Sequence, residues 1–164
     1  MSVEAKRSFV LAERLKAASA CENEHEFLSL LQTEQARVRD LGETELDQII
    51  SERDKSRRGR FNALSWELRT VALSDCHVYP TMGGRPWAIG RVDEVSAMFT
   101  RLEPSCSRIW KMKLFASVFS HLPLIVLQES QTLTFDDGSH RAFAMYLAGV
   151  RDVQAYVGCQ RSSR

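Results

Sequence analysis

The most constraining feature of this sequence is a change of hydrophobic period in the segment TLTFDDGSHRAFAMYLAGV, at 132–150. Residues 132–135 alternate as a β-strand does, whereas Phe143, Leu147 and Val150 recur at helical spacing. A strand therefore runs into a helix predicted from Ser139 to Leu147, and Gly138 is left to make the turn between them. The chain therefore passes from a strand to a helix within a few residues, and the apolar face of that helix is expected to pack on the sheet.

The polar residues of this turn are the ones expected around a bound anion. A helix that begins at Ser139 directs backbone N–H groups, and the positive end of its dipole, to one point. Ser139 adds a hydroxyl, His140 an imidazole, and Arg141, expected at a solvent-facing helix start, a planar fork suited to phosphate oxygens. The alternative is structural: an aspartate caps the helix, and the Ser, His and Arg side chains are ordinary surface residues.

Two acids precede the glycine and suggest a second component of the site. Asp136 or Asp137 beside a phosphate would suit a divalent cation or a general base. The cysteines and histidines of the chain show no chelating spacing, so a zinc site is not expected.

Two parts of different character make up the chain, with the boundary predicted near residue 60. Residues 1–60 read as helices: 3–20, then a helix capped by Asn23 with Glu26, then one that starts at Thr44 with Asp47 three residues on. Residues 61–164 mix both periods. Strands are predicted near 71–78, 122–128, 132–135 and 152–158; helices at 92–102, 106–120 and 139–147; and a Gly/Pro-rich loop at 79–91. The fold class is therefore α+β.

Charge is unevenly distributed along the chain. Residues 1–50 hold 6 basic and 10 acidic side chains, a net of −4, and residues 51–164 hold the other 16 and 11, a net of +5. A basic second part is compatible with an anionic ligand and equally with a solvated face. The run RDKSRRGR at 53–60 would suit DNA phosphates, or a helix end and linker. Because no apolar run is long enough for a transmembrane segment and no signal peptide is evident, a cytoplasmic protein is expected.

The segment PLIV, followed by LTFDDGSHRAFAMYLAGVRDVQAYV, resembles the ParB/sulfiredoxin-like superfamily. The resemblance covers roughly residues 66–158, and its most specific part is the DGSHR motif at 137–141. It implies that a small mixed sheet with helices, preceded by the helical segment, forms a nucleotide-phosphate-binding domain. The cofactors implied are ATP or CTP with Mg²⁺.

Residue by residue, the resemblance implies phosphate or nucleotide contacts for Gly138, Ser139, His140 and Arg141, and for Arg85 in the upstream loop. It implies catalytic roles for Asp137, His140 and Arg141, and metal binding by Asp136 and Asp137.

Departures from the superfamily pattern narrow the function. Sulfiredoxins carry cysteine where this chain has Ser139, so sulfinic-acid repair has no nucleophile and is rejected. Partition proteins continue into a helix-turn-helix domain, which this sequence does not contain. The size and layout are closest to the plasmid fertility-inhibition (Osa) subgroup. That implies an ATPase and DNase with DNA, a nucleoside triphosphate and secretion-system or relaxosome proteins as partners. The alternative is a non-catalytic interaction or inhibitor module that retains an anion site.

Overall fold

The computed structural model describes residues 1–15, 21–53, 61, 63–78, 90–94, 113, 116 and 122–160. The fold is α+β, as predicted, with helices and a six-stranded mixed sheet. The helices whose bounds both lie within the described residues are α1 (Val3–Arg14), α2 (Glu24–Arg39), α3 (Glu43–Arg53) and α4 (Ser139–Leu147). The strands are β1 (Leu64–Ala72), β2 (Cys76–Val78), β3 (Gly90–Arg91), β4 (Leu124–Glu129), β5 (Thr132–Asp137) and β6 (Asp152–Gln160).

Two compact units account for the chain: Met1–Glu67 with Gly158–Arg164, and Leu68–Val157. The predicted boundary near residue 60 falls in a stretch outside the described residues, and it stays a prediction. None of the helices in the described part combines the length and the apolarity needed to span a bilayer.

The first unit contains three helices, as predicted, although α1 ends at Arg14 and not at the predicted residue 20. Ion pairs in which one partner is buried join these helices. Lys6 of α1 is 5% exposed, and its Nζ lies 2.7 Å from Glu43 and 2.9 Å from Asp47, both on α3. Glu34 of α2 is also buried and accepts from Arg14 of α1 at 3.1 Å. Since a charge is costly to bury without its partner, these pairs favour one arrangement of the three helices.

Helix starts show where local sequence rules held and where they failed. The predicted cap of α2 is confirmed: the side chain of Asn23 accepts from the N–H of Glu26 at 3.0 Å. The predicted start of α3 at Thr44 is wrong by one residue. Its helix begins at Glu43, and the side chain of Glu45 accepts from the N–H of Gly42 at 2.9 Å. Asp47, the expected capping partner, instead forms an ion pair with Lys6.

The sheet places β5 near its middle, in the order β1-β6-β4-β5-β2-β3. β5 is antiparallel to β4 and parallel to β2, and β2 is antiparallel to β3. The prediction of one strand over 71–78 is wrong: β1 begins at Leu64, and a 3-10 turn at Leu73–Asp75 separates it from β2. The predicted helices 92–102 and 106–120 lie almost wholly outside the described residues.

A β-bulge marks the end of β5. Phe135 is paired with Val126, and Asp137 with the preceding residue Ile125, so β5 has one residue more than β4 at this point. The extra residue is Asp136. Bulges of this kind bend a strand and re-aim its side chains, and they are common beside functional sites.

Candidate functional site

The turn at 136–141 has the strand–glycine–helix geometry that the sequence predicts. β5 ends at Asp137, Gly138 is in the left-handed conformation with φ 94°, and α4 runs over Ser139–Leu147. Gly138 is the N-cap of α4, and no side chain makes a capping hydrogen bond there. The first helical hydrogen bond runs from the N–H of Ala142 to the carbonyl of Gly138 at 2.8 Å. The aspartate cap, which was the structural alternative, is therefore not formed.

Gly138 is required both by its backbone conformation and by the space around it. A Cβ at this position would lie 2.6 Å from Cδ2 of Leu124 and 3.0 Å from Nη2 of Arg141. Both distances are too short for ordinary contacts, and a positive φ disfavours any residue with a Cβ. The backbone of the turn therefore approaches β4 as closely as only glycine allows.

Arg141 lies inside the protein, and the expectation of a solvent-facing arginine is wrong. It is 4% exposed, because the first turn of α4 packs down against the start of β4. Its Nη1 donates to the carbonyl of Leu122 at 3.2 Å, and its Nη2 lies 3.7 Å from Oδ2 of Asp137. Arg141 thus joins the residues before β4, the end of β5 and the start of α4. The positive charge is held beneath the turn.

The other polar side chains of the turn are partly accessible. Ser139 and His140 are half-buried, as is Asp136, while the side chain of Asp137 is 12% exposed. The residues predicted to form the anion site therefore fall into two groups. Ser139 and His140 have surface through which a ligand can reach them, whereas Arg141 and Asp137 form a largely enclosed ion pair.

Val78 and Gly90, the described residues on either side of Arg85, are paired with each other at the end of the sheet where β5 meets this turn. β2 runs parallel to β5, with His77 paired to Thr134, so Val78 and the last residues of β5 lie at the same end of their strands. The chain returns at Gly90, which is paired with Val78. Arg85 itself lies outside the described residues, and so do the side chains of the basic run 53–60.

The two acids can supply only part of a metal site. Among the described residues no group of three or more His, Cys, Asp or Glu side chains could hold a metal ion. Mg²⁺ commonly takes one or two carboxylates and completes its shell with water and substrate phosphates. Asp136 and Asp137 supply two carboxylates at the end of β5, the number that this mode needs, although one oxygen of Asp137 faces Arg141.

Sequence reasoning missed the residues that form the floor of the site. Leu122 contributes a backbone carbonyl and Leu124 a side chain, both against the turn. Their only signal was the apolar run LPLIVLQ, which indicates a buried strand but does not show which strand it adjoins.

Comparisons with known proteins found no relative of this chain. No family model, no curated protein and no solved structure matches this chain.

Proposed function

We propose that the turn at 136–141 binds the phosphates of a nucleoside triphosphate, ATP or CTP, in a ParB/sulfiredoxin-like domain. The observation that carries the proposal is the left-handed Gly138 at an N-terminus that no side chain caps. Backbone N–H groups at such a helix start favour an anion, and the helix dipole adds to the attraction. The DGSHR motif supplies the resemblance from which the ligand class is taken.

The residues of the turn would have different roles in binding. Ser139 and His140, which are partly accessible, donate hydrogen bonds to phosphate oxygens. Arg141 acts from beneath: its enclosed charge adds a positive potential at the turn, and its bond to Leu122 fixes the start of α4. Arg85 would approach from the predicted loop at 79–91. This assignment replaces the exposed arginine fork expected from the sequence.

The activity proposed is hydrolysis of that nucleotide together with cleavage of DNA, as in a fertility-inhibition factor that acts on DNA mobilised by type IV secretion. Asp136 and Asp137 would hold Mg²⁺ with the phosphate. When bound, the cation would withdraw negative charge from the phosphoryl oxygens. The protein's own groups would orient the phosphate, and the guanidinium of Arg141 would lie beside the carboxylate of Asp137.

A non-catalytic interaction module with an anion site is the second candidate, and the ion pair of the turn favours it. Oδ2 of Asp137 lies 3.7 Å from Nη2 of Arg141, and its side chain is only 12% exposed. A carboxylate held in this way is less available to a metal or to an attacking water than an open one. On this reading the site would bind nucleotide or phosphate without turnover.

Nucleotide titration with His140→Ala tests the proposal. The variant should bind ATP or CTP about tenfold more weakly, because a hydrogen bond to a charged group contributes about 1.5–3 kcal/mol. His25→Ala is the matched control: His25 is exposed on α2, and its removal should leave the affinity unchanged. If the wild-type chain binds neither nucleotide, or if both variants bind as it does, the phosphate site is wrong.

Turnover then separates the two candidates. Release of phosphate and cleavage of DNA by the wild-type chain, both abolished by a chelator of divalent cations, support the hydrolase. Nucleotide binding without either reaction supports the interaction module.

A further inference from the structure

β1 is a long strand at one edge of the sheet. Among the described residues it has one neighbouring strand, β6, whereas β3 at the opposite edge has only two residues. β1 is nine residues long and contains neither proline nor glycine. Leu68, at its centre, is 53% exposed, more than any other large apolar side chain that the structure describes. An edge strand with these properties is a template for another strand.

The backbone groups of β1 that face away from β6 can be assigned from the register. The N–H of Leu73 donates to the carbonyl of Arg151 at 2.8 Å, and the side chain of Gln154 donates to that of Thr70. These partners run in opposite directions along the chain, so β1 and β6 are antiparallel. The bond of Leu73 makes it a hydrogen-bonded position, and such positions recur at every second residue of an antiparallel strand. The odd-numbered residues of β1 therefore direct their backbone N–H and carbonyl groups to β6. The even-numbered residues, with Leu68 in the middle, direct their N–H and carbonyl groups to the open edge.

Charges on β1 are self-complementary about Leu68. In an antiparallel pair of two β1 strands centred there, Leu68 lies opposite Leu68 of the second copy. Glu67 then lies opposite Arg69 of the second copy, and the same contact occurs twice. If the pair were centred on Trp66 or on Thr70 instead, Glu67 and Arg69 would each lie opposite an uncharged residue. Glu67 is exposed and forms no ion pair with a described residue. Arg69 is half-buried and its Nη2 donates to Oε1 of Gln128 at 2.6 Å, so a contact with Glu67 of the second copy would use the other N–H groups of its guanidinium.

We propose that β1 pairs antiparallel with β1 of a second copy of this chain, about a two-fold axis at Leu68. The outward backbone groups of Leu64, Trp66, Leu68, Thr70 and Ala72 form the new ladder. The two Glu67–Arg69 pairs fix its register, because cross-strand pairs of opposite charge stabilise a sheet and like charges oppose it. An interface of this kind is isologous, so it closes as a dimer and does not extend into a filament.

The oligomeric state of the full chain in solution tests the pairing. Sedimentation velocity from about 1 to about 200 µM, a range suited to a small interface, should show a concentration-dependent dimer. Leu68→Lys places two like charges opposite each other at the axis and should give a monomer. Leu28→Lys is the control: Leu28 is also exposed, at 36%, but lies on α2, so this variant should still dimerise. Circular dichroism of each variant reports whether it is folded.

Exchanging the charges tests the register independently of Leu68. Glu67→Arg alone and Arg69→Glu alone each set like charges opposite each other twice, so each should dimerise about tenfold more weakly. A mixture of the two variants restores both opposite-charge contacts and should form a heterodimer. A wild-type chain that stays monomeric at the highest concentration, a Leu68→Lys variant that dimerises like the wild type, or a mixture without heterodimer each overturns the proposal.

Discussion

Gly138→Ala is the sharpest test of how the turn is built, because the structure supplies both the magnitude and the control. Alanine would have to adopt φ 94°, which costs about 1–2 kcal/mol for a residue with a Cβ. Its methyl group would also meet Leu124 at 2.6 Å and Arg141 at 3.0 Å. Relieving such overlap in a packed region costs about a further 1–3 kcal/mol. We expect the free energy of unfolding to fall by about 2–5 kcal/mol in total.

Gly149→Ala isolates the backbone part of that cost. Gly149 has φ 92°, but a Cβ there would have no atom within 4 Å. Its substitution should therefore lower the free energy of unfolding by only the conformational cost, about 1–2 kcal/mol. Guanidinium unfolding followed by tryptophan fluorescence measures both values by linear extrapolation. If the two variants lose the same stability, the close approach of the turn to β4 and Arg141 is wrong.

Two further predictions concern buried groups whose pKa is raised by folding. Burial lowers the pKa of Lys6, but the hydrogen bonds and charges of Glu43 and Asp47 outweigh it and raise this pKa above its usual 10.5. The stabilisation is thus complete below pH 10.5 and lost as the pH rises through the folded value. Lys6→Met should make the alkaline loss of stability smaller in pH-dependent unfolding. Burial and a neighbouring carboxylate raise the pKa of Cys76 from 9.0 to about 12, so iodoacetamide should label it far more slowly than half-exposed Cys21. Equal labelling rates would contradict that burial.

The sequence was most informative where local pattern and tertiary structure agree. The helix over Ser139–Leu147, the turn at Gly138 and the buried stripe of α2 follow from hydrophobic period and glycine alone. β1 was placed too late because its residues Trp66–Thr70 lie on an edge strand. Exposed side chains on both faces of such a strand remove the alternation that marks a half-buried one.

The burial of Arg141 could not be read from the sequence, for a different reason. Residue 141 is in the first turn of a helix, where an arginine usually reaches solvent. Its side chain turns inward only because β4 lies beside β5, so that the carbonyl of Leu122 is available as an acceptor. That neighbour depends on strand order, which no local pattern encodes. The bulge at Asp136 is a property of the same strand pair and was equally hidden.

A buried arginine at this position is itself an argument about function. Removing a guanidinium from water costs several kcal/mol unless the charge is paired, and the partners of Arg141 include the carbonyl of Leu122 and the carboxylate of Asp137 at 3.7 Å. An apolar side chain would continue the buried stripe of Ala142 and Met145 without the penalty. A turn needed only to join a strand to a helix would not require a charge at this position. Its presence beneath an N-terminus that no side chain caps is more economically explained if the turn must hold a negative ligand, since each anion contact is then strengthened by a positive charge fixed in place before binding.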